Sequence, residues 1–276
     1  MEERTAIITK PQFLEIDEAD AKDAILILQE NYKRKKMEHR LVAEGDYTPE
    51  NIIALYLYFI NCASYQKMVK DYKDKFIANE SVVEPGVTAE EKAGLGVIYD
   101  YISNYDFNKK MPNIFIEGLK LHSMLYSKCP YPEFGGKLRD DTAVIRGYSY
   151  DVPIASDARA FFQSFITKQF NIDENFLKYI DEVIEITVSL IKTQPFADGN
   201  KRTFRALLNL LLGKVGLPPI YIDVSERAAY KKALQYVFEE DNYELIKRFY
   251  YYKICDAIVD LDINRFLEEN ISPGRK

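Results

Sequence analysis

Helical periodicity and helix-start signals recur along most of this chain, and they constrain its fold more than any other feature. Thr48 and Pro49 place a capping hydroxyl and a proline where a helix would begin. Thr88 is followed three residues later by Glu91, which is the spacing of a capping box. Apolar residues at helical spacing predict helices over residues 21–42, 51–76, 112–126, 155–170, 173–192, 200–215, 225–238 and 242–266. The pattern predicts a mainly α fold.

The interval 130–151 breaks this pattern. It contains a Gly-Gly pair followed by a run that includes the β-prone residues Val144 and Ile145. With turn residues on both sides, the run predicts a short β-hairpin, a flap at residues 137–150 on an otherwise helical body.

Residues 70–87 are charged and contain Pro85 and Gly86, so they are the best candidate for a linker. We therefore expect an N-terminal helical segment at residues 1–87 and a larger domain at residues 88–276.

Composition excludes several classes of function. Of the 276 residues, 47% are hydrophobic and 29% are charged, which is ordinary for a globular protein. The net charge of -6 disfavours nucleic acid as a partner, because phosphate neutralisation needs clustered cations. The most apolar run, residues 52–63, is about half of the ~20 residues that a membrane span requires. Three distant cysteines without metal-ligand spacing, and an N-terminus without a secretory apolar core, predict a cytoplasmic protein.

The run TQPFADGNKRTFR, residues 193–205, lies where one predicted helix ends and the next begins. The first N–H groups of a helix have no internal partners and carry the positive end of its dipole. Gly199 allows a ligand to approach the backbone closely. Asp198 is either a counter-ion for the cations that follow or a ligand for a Mg²⁺ that bridges phosphates. The pattern predicts a nucleotide di- or triphosphate site with three cations, Lys201, Arg202 and Arg205. The alternative is a helix N-cap followed by solvated cations.

This run resembles the signature of Fic/Doc proteins, H-x-F-x-(D/E)-G-N-(G/K)-R-x-x-R. The matching residues are Phe196, Asp198, Gly199, Asn200, Arg202 and Arg205. Leu121-His122 and the run RAAYKKAL at residues 227–234 resemble two flanking helices of the family. The resemblance covers residues 112–249 and implies a Fic-like helical bundle with a short β-hairpin flap.

The resemblance also implies a function. Fic proteins mostly transfer AMP from ATP, with Mg²⁺, to a hydroxyl of a target protein, and here the acceptor would be a protein partner or the chain itself. Whether the chain forms a homo-oligomer is left open by the resemblance. By position, Phe196 anchors the loop, Asp198 holds Mg²⁺, and Arg205 binds the γ-phosphate. The other phosphates would lie on Gly199, Asn200 and Arg202, and the target segment would pair with the flap that begins at Lys137, Leu138 and Arg139.

Gln194 stands at the catalytic base position, where the family has a histidine. A side-chain amide does not accept a proton near neutral pH, and losing a general base typically costs about 10²–10⁴ in rate. We expect neither His39 nor His122 to replace it, since His39 lies in a basic N-terminal helix and His122 fits a core-facing helix position. The sequence predicts nucleotide binding with weakened or altered catalysis.

Two alternative functions remain open. Lys201 replaces the commoner glycine of the motif and resembles the Doc type, whose members transfer the γ-phosphate. Gln194 favours a different class, a non-catalytic nucleotide-binding or interaction module.

A built-in inhibitor is a further hypothesis. Residues 41–50 resemble the inhibitory helix of autoinhibited Fic proteins, with Glu44 and Gly45 at the matching positions. Glu44 would then pair with Arg205 and keep the γ-phosphate from its place. The alternative is a helix C-terminus with Gly45 as its cap.

Overall fold

The computed structural model of this protein describes residues 72–84, 86–107, 111–170 and 176–271. Its α-helices are α1 (Lys73–Val83), α2 (Ala89–Ser103), α3 (Ile114–Tyr126), α4 (Ala155–Gln163), α5 (Phe176–Thr193), α6 (Asn200–Lys214), α7 (Arg227–Glu240) and α8 (Glu244–Ile271). Short 3₁₀ helices occupy Pro132–Phe134, Ser164–Thr167 and Val224–Glu226. The prediction of a mainly α fold is confirmed.

Helix α6 forms the centre of the bundle. Twelve of its 15 residues are buried, as expected for a helix that is enclosed by others on nearly every side. It packs against α5, α3 and α2. The start of α6, which carries the Fic-like motif, is therefore fixed by the core.

Helices α2 and α3 approach one another closely beside α6. The predicted capping box at the start of α2 is confirmed, because Thr88 and Glu91 exchange side-chain-to-backbone hydrogen bonds. A Cβ added at Gly94 would lie 2.1 Å from the carbonyl oxygen of Leu125, so glycine is required for this contact. The close packing sets α3 beside the start of α6.

The linker prediction for residues 70–87 is wrong, because residues 73–83 form helix α1. Phe76 and Val83 of this helix lie in the hydrophobic core, and the Phe76 ring packs 5.1 Å from that of Tyr99 in α2. The charges that suggested a linker find partners across the fold, such as Asp100 for Lys73. Local sequence could not reveal those partners.

The predicted β-hairpin at residues 137–150 is not formed, although that segment is described throughout. An isolated antiparallel bridge joins Leu138 to Phe196, and the rest of the segment is irregular. Its aromatic residues pack against α7 instead of a second strand. The rings of Tyr148 and Tyr150 lie 4.8 and 5.8 Å from that of Phe238.

Glu44, His39 and the helices predicted before residue 72 lie outside the described residues. Within the described ranges, no helix combines the length and apolarity needed to cross a membrane.

Candidate active site

The loop between α5 and α6 is bound tightly to the helix that follows it. The Asn200 side chain accepts a hydrogen bond from the Phe196 N–H at 2.9 Å and donates one to the Phe196 carbonyl at 2.8 Å. Gly199, with φ of 72°, turns the chain into α6 in the left-handed region. The Asn200 side chain therefore holds the loop, and the backbone N–H groups of the first turn of α6 are left as the anion-binding groups.

Phe196 lies wholly in the core, as an anchor of the loop would, and His122 of α3 stacks on it. The two rings are 3.8 Å apart and nearly parallel, with 4° between their planes. His122 accepts the Gly136 N–H at Nδ1 over 2.8 Å, and its Nε2 lies 3.0 Å from the Asp198 carbonyl oxygen. Because Nδ1 is an acceptor, Nε2 carries the proton and donates it to that carbonyl. Burial lowers the pKa of His122 to about 4, although the hydrogen bond to Asp198 opposes this shift. The imidazole is neutral near pH 7.

A cavity of about 630 Å³ opens at the start of α6, a size typical of small-molecule sites. Six residues predicted from the sequence line it, namely Gln194, Asp198, Gly199, Asn200, Lys201 and Arg202. Phe196 and Arg205 do not line it. Sequence reasoning missed several other lining residues, among them Glu84, Glu91, Arg146, Tyr148 and Lys231. Lys231 lies in the RAAYKKAL run, and the resemblance of that run to a family helix could have identified Lys231 as a candidate site residue.

The two motif cations that line the cavity are paired with carboxylates from outside the motif. Lys201 Nζ lies 2.9 Å from Glu84 Oε2, and Arg202 Nη1 lies 2.9 Å from Glu91 Oε1. Glu91 accepts the Thr88 N–H with its other oxygen, so it caps α2 and holds Arg202 at once. Burial favours a raised pKa at Glu84, but the charges of Arg205 and Lys201 outweigh it and lower the pKa of that carboxyl.

Arg205 is buried away from the cavity and faces α1. Its Nε lies 2.7 Å from Glu80 Oε2, with 4% and 2% of the two side chains exposed. Its Nη1 lies 3.4 Å from Glu84 Oε1. Burial favours a lowered pKa at Arg205, but the attraction of Glu80 is among the contacts that raise it well above its ordinary value. Glu80 lies in the last turn of α1, and Glu84 follows directly after the helix ends at Val83; sequence reasoning overlooked both acids.

Asp198 is the exposed carboxylate of the motif, with 70% of its side chain accessible. Tyr126 donates its hydroxyl proton to Asp198 Oδ2 at 3.3 Å, and Arg202 Nη2 lies 3.5 Å from the same oxygen. Among the described residues, no three His, Cys, Asp or Glu side chains are grouped as a protein-enclosed metal site would need. One exposed carboxylate beside an anion-binding helix start nevertheless suits Mg²⁺, which keeps several waters and takes its other oxygen ligands from phosphates.

Gln194 uses both ends of its side-chain amide within the protein. Nε2 donates to the Ile191 carbonyl at 2.5 Å, and Oε1 accepts from Asn200 Nδ2 at 2.9 Å. The residue has a φ of 51°, an uncommon backbone conformation for a residue with a side chain. Gln194 thus braces the turn between α5 and α6.

The three residues assigned to the start of the flap differ in exposure. Lys137 is exposed, whereas Leu138 pairs through its backbone with Phe196. Arg139 is only 4% exposed, and its guanidinium donates to backbone carbonyls of its own chain. The nearest acceptors are the carbonyl oxygens of Gln194 and Pro153 at 2.5 Å. The Arg139 side chain therefore secures the segment to the end of α5.

Comparisons with known proteins show similarity to Fic proteins. Residues 117–212 match the family model described as the Fic/DOC family. The chain is 28% identical over 152 residues to the protein adenylyltransferase Fic of Culex quinquefasciatus, which covers 55% of this chain and 30% of that protein. It is 47% identical over 45 residues to the protein adenylyltransferase fic-1 of Caenorhabditis elegans, which covers 16% of this chain and 9% of that protein. The chain therefore spans less than a third of the length of these relatives.

Solved structures share the fold. A Fic-domain-containing signaling protein from Bacteroides thetaiotaomicron superposes with a TM-score of 0.62 at 14% identity, over 78% of this chain and 97% of that one. Fic-1 from Caenorhabditis elegans superposes with a TM-score of 0.58 at 15% identity, over 89% and 77% of the two chains. Residues 117–212 thus match the Fic/DOC family, the named relatives are similar to part of this chain, and the solved Fic structures share its fold.

Proposed function

We propose that this protein transfers AMP from ATP to a protein, with chemistry altered by Gln194 and a resting state restrained by α1. One observation carries the proposal. The first turn of α6 brings its backbone N–H groups, Lys201 and Arg202 to the wall of one cavity beside Asp198. The relatives named protein adenylyltransferase support AMP transfer at the level of the family. A cytoplasmic location belongs to the proposal and agrees with the free thiols of Cys129 and Cys255.

The residues at the start of α6 would bind the nucleotide through its phosphates. The free N–H groups of the first turn donate to phosphate oxygens, and Lys201 and Arg202 add charge-assisted hydrogen bonds. Asp198 would hold Mg²⁺, which would offset the charge of the phosphates. The same cations stabilise the charge that develops on the leaving pyrophosphate. The rate of transfer would depend on positioning and on this electrostatic stabilisation.

The restraint would come from three carboxylates that occupy the cations before a nucleotide arrives. Glu80 holds Arg205, Glu84 holds Lys201, and Glu91 holds Arg202. Phosphates compete with these carboxylates for the same donors, so binding requires at least some of these pairs to open. The sequence predicts an inhibitory role for the segment around Glu44. The contacts of α1 with Arg205 support assigning that role to α1. Because Glu44 lies outside the described residues, Glu44→Gly is the variant that tests that segment, and unchanged ATP affinity in calorimetry would exclude it.

Incubation with ATP labelled at the α- or the γ-phosphate tests the proposed reaction. Protein labelled from the α position indicates AMP transfer, and label from the γ position alone indicates a Doc-like phosphotransferase. The assay should include the full chain and its Glu80→Gln variant, so that restraint by α1 is not mistaken for inactivity.

A non-catalytic nucleotide-binding module is the second candidate, and the internal hydrogen bonds of Gln194 favour it. In that case ATP binds measurably in calorimetry, but no label reaches protein from either position. Binding without labelling in both the wild-type chain and Glu80→Gln would replace the transferase proposal with this one.

A further inference from the structure

Transfer of AMP to a hydroxyl requires a group that removes the hydroxyl proton. Gln194 cannot accept a proton, and both ends of its amide are bound to Ile191 and Asn200. His122 is no substitute, because it is buried, does not line the cavity, and uses both ring nitrogens in hydrogen bonds. The proton acceptor that the family reaction needs is missing from these two positions.

The carboxylates at the cavity are also poorly suited to remove a proton. Glu84 is paired with Lys201 and Arg205, and Glu91 is paired with Arg202. Asp198 is exposed but lies beside Arg202 and the Tyr126 hydroxyl. The cations beside Glu84 lower its pKa and make it a weak base, and Glu91 and Asp198 are already in contact with Arg202.

Two further cations line the cavity, and they come from elements other than α6. Arg146 lies in the segment 137–150, and Lys231 lies on α7. Both side chains are exposed, and within the described part of the chain neither forms an ion pair or hydrogen bond. Lys201 and Arg202, by contrast, already have carboxylate partners. The cavity thus offers two unpaired cations in addition to its phosphate-binding residues.

We propose that the acceptor in this protein is an oxyanion already ionised at neutral pH, a phosphate monoester or a carboxylate on a peptide, held by Arg146 and Lys231. The inference rests on the proposed AMP transfer and names its acceptor. An acceptor oxygen of this kind attacks the α-phosphorus, and the bond from that phosphorus to the bridging oxygen of the β-phosphate breaks. Pyrophosphate leaves with that oxygen and its electron pair. No proton is removed from the acceptor, so the reaction needs no general base at residue 194.

Three synthetic peptides of one sequence test the acceptor, carrying serine, phosphoserine or glutamate at the same position. They are incubated with α-labelled ATP, Mg²⁺ and the full chain as Glu80→Gln, with and without Gln194→His. We expect the Gln194 protein to label the phosphoserine or glutamate peptide at least ten times faster than the serine peptide. Hydroxylamine separates the products, because it cleaves an acyl-adenylate formed on glutamate and leaves a phosphoserine-linked AMP intact.

The Gln194→His protein separates failure of this inference from failure of the proposed function. If Gln194→His labels the serine peptide while the Gln194 protein labels neither anionic peptide, the proposed function stands and the inference is overturned. If neither protein labels any peptide, AMP transfer and the inference fall together.

Single substitutions test the roles of Arg146 and Lys231. Arg146→Gln and Lys231→Gln should each slow labelling of the anionic peptide at least fivefold and leave calorimetric ATP affinity within twofold. Lys232→Gln is the matched control, because Lys232 is exposed next to Lys231 on α7 but does not line the cavity. A large loss of ATP affinity in Lys231→Gln, or equal effects of Lys231→Gln and Lys232→Gln, would contradict an acceptor-binding role.

Discussion

Arg205 Nε lies 2.7 Å from Glu80 Oε2, and both side chains are almost completely buried. Removing one partner of a buried ion pair leaves an uncompensated charge and typically costs about 3–5 kcal/mol. The pair therefore affects both the stability of α1 in the bundle and the availability of Arg205 to a phosphate.

Glu80→Gln should change stability and nucleotide affinity in opposite directions. Without nucleotide, we expect the free energy of unfolding to fall by about 3 kcal/mol, because Arg205 loses its main charge partner. We expect Mg-ATP to bind roughly tenfold more tightly, since Arg205 no longer has to leave a carboxylate. Urea unfolding and calorimetry measure the two effects. Asp74→Asn, an exposed change on the same helix, should alter neither, and unchanged ATP affinity in Glu80→Gln would reduce the pair to a structural role.

Gly94→Ala and Gly96→Ala should differ sharply in their effect on stability, although the two glycines lie only two residues apart on α2. A methyl group at Gly94 would meet the Leu125 carbonyl oxygen at 2.1 Å and force α2 from α3, whereas one at Gly96 meets the Ile77 side chain at 3.4 Å. We expect Gly94→Ala to lower the free energy of unfolding by roughly 2 kcal/mol or more. Gly96→Ala should be neutral or stabilise by up to about 1 kcal/mol, through helix propensity. Equal changes in the free energy of unfolding for the two variants, measured by thermal or urea unfolding, would show that α2 and α3 can move apart at little cost.

The stability of the protein should depend on pH through His122. Burial lowers the pKa of this imidazole to about 4 in the folded state, whereas in the unfolded chain it is about 6.5. The unfolded chain therefore binds a proton first, and the contribution of neutral His122 is complete above about pH 6.5 and is lost as pH falls toward 4. The expected loss is about 3 kcal/mol. His122→Gln should show a flatter profile of urea midpoints over this window, and identical profiles would contradict the prediction.

Arg139→Lys should destabilise the segment after α3 although it keeps the charge. The guanidinium reaches the carbonyl oxygens of Gln194, Pro153 and Asp141 from different nitrogens, which one ammonium group cannot reproduce. We expect the free energy of unfolding to fall by about 2 kcal/mol. Arg159→Lys is the control, since Arg159 is 41% exposed and its carboxylate partner Asp140 is 72% exposed, so its effect should stay within about 1 kcal/mol. Comparable losses in the two variants would argue against the multiple-carbonyl role.

Local signals in the sequence predicted much of the helical framework. The capping box of Thr88 and Glu91 and the start of α6 at Asn200 were both found in the structure, because each depends on residues within one turn. Helix α1 was missed, because its charges are balanced by partners far away in the chain. Glu80 and Arg205, for example, are separated by 125 positions.

The candidate site was predicted only in part, because sequence patterns identify residues that are close in the chain and miss partners that are distant in it. The motif identified the residues around Asp198 and Arg202, which lie on one short segment. The carboxylates that neutralise the cations lie on α1, directly after its end and on α2, and their role depends on how those helices pack. The hairpin prediction failed because Tyr148 and Tyr150 contact Phe238 of α7. The β-propensity of a segment does not indicate which distant helix it packs against.

The Glu91 carboxylate makes a hydrogen bond and an ion pair that together link local unfolding to ligand occupancy. One oxygen of its carboxylate closes the first turn of α2, and the other holds Arg202 at the cavity. A phosphate that draws Arg202 away leaves Glu91 with the helix cap alone, whereas fraying of that turn releases Arg202. Hydrogen exchange at the N–H groups of Thr88 and Glu91 should therefore change when ATP binds. The backbone at the start of α2 would then indicate whether the cavity is occupied, although it does not itself contact the ligand.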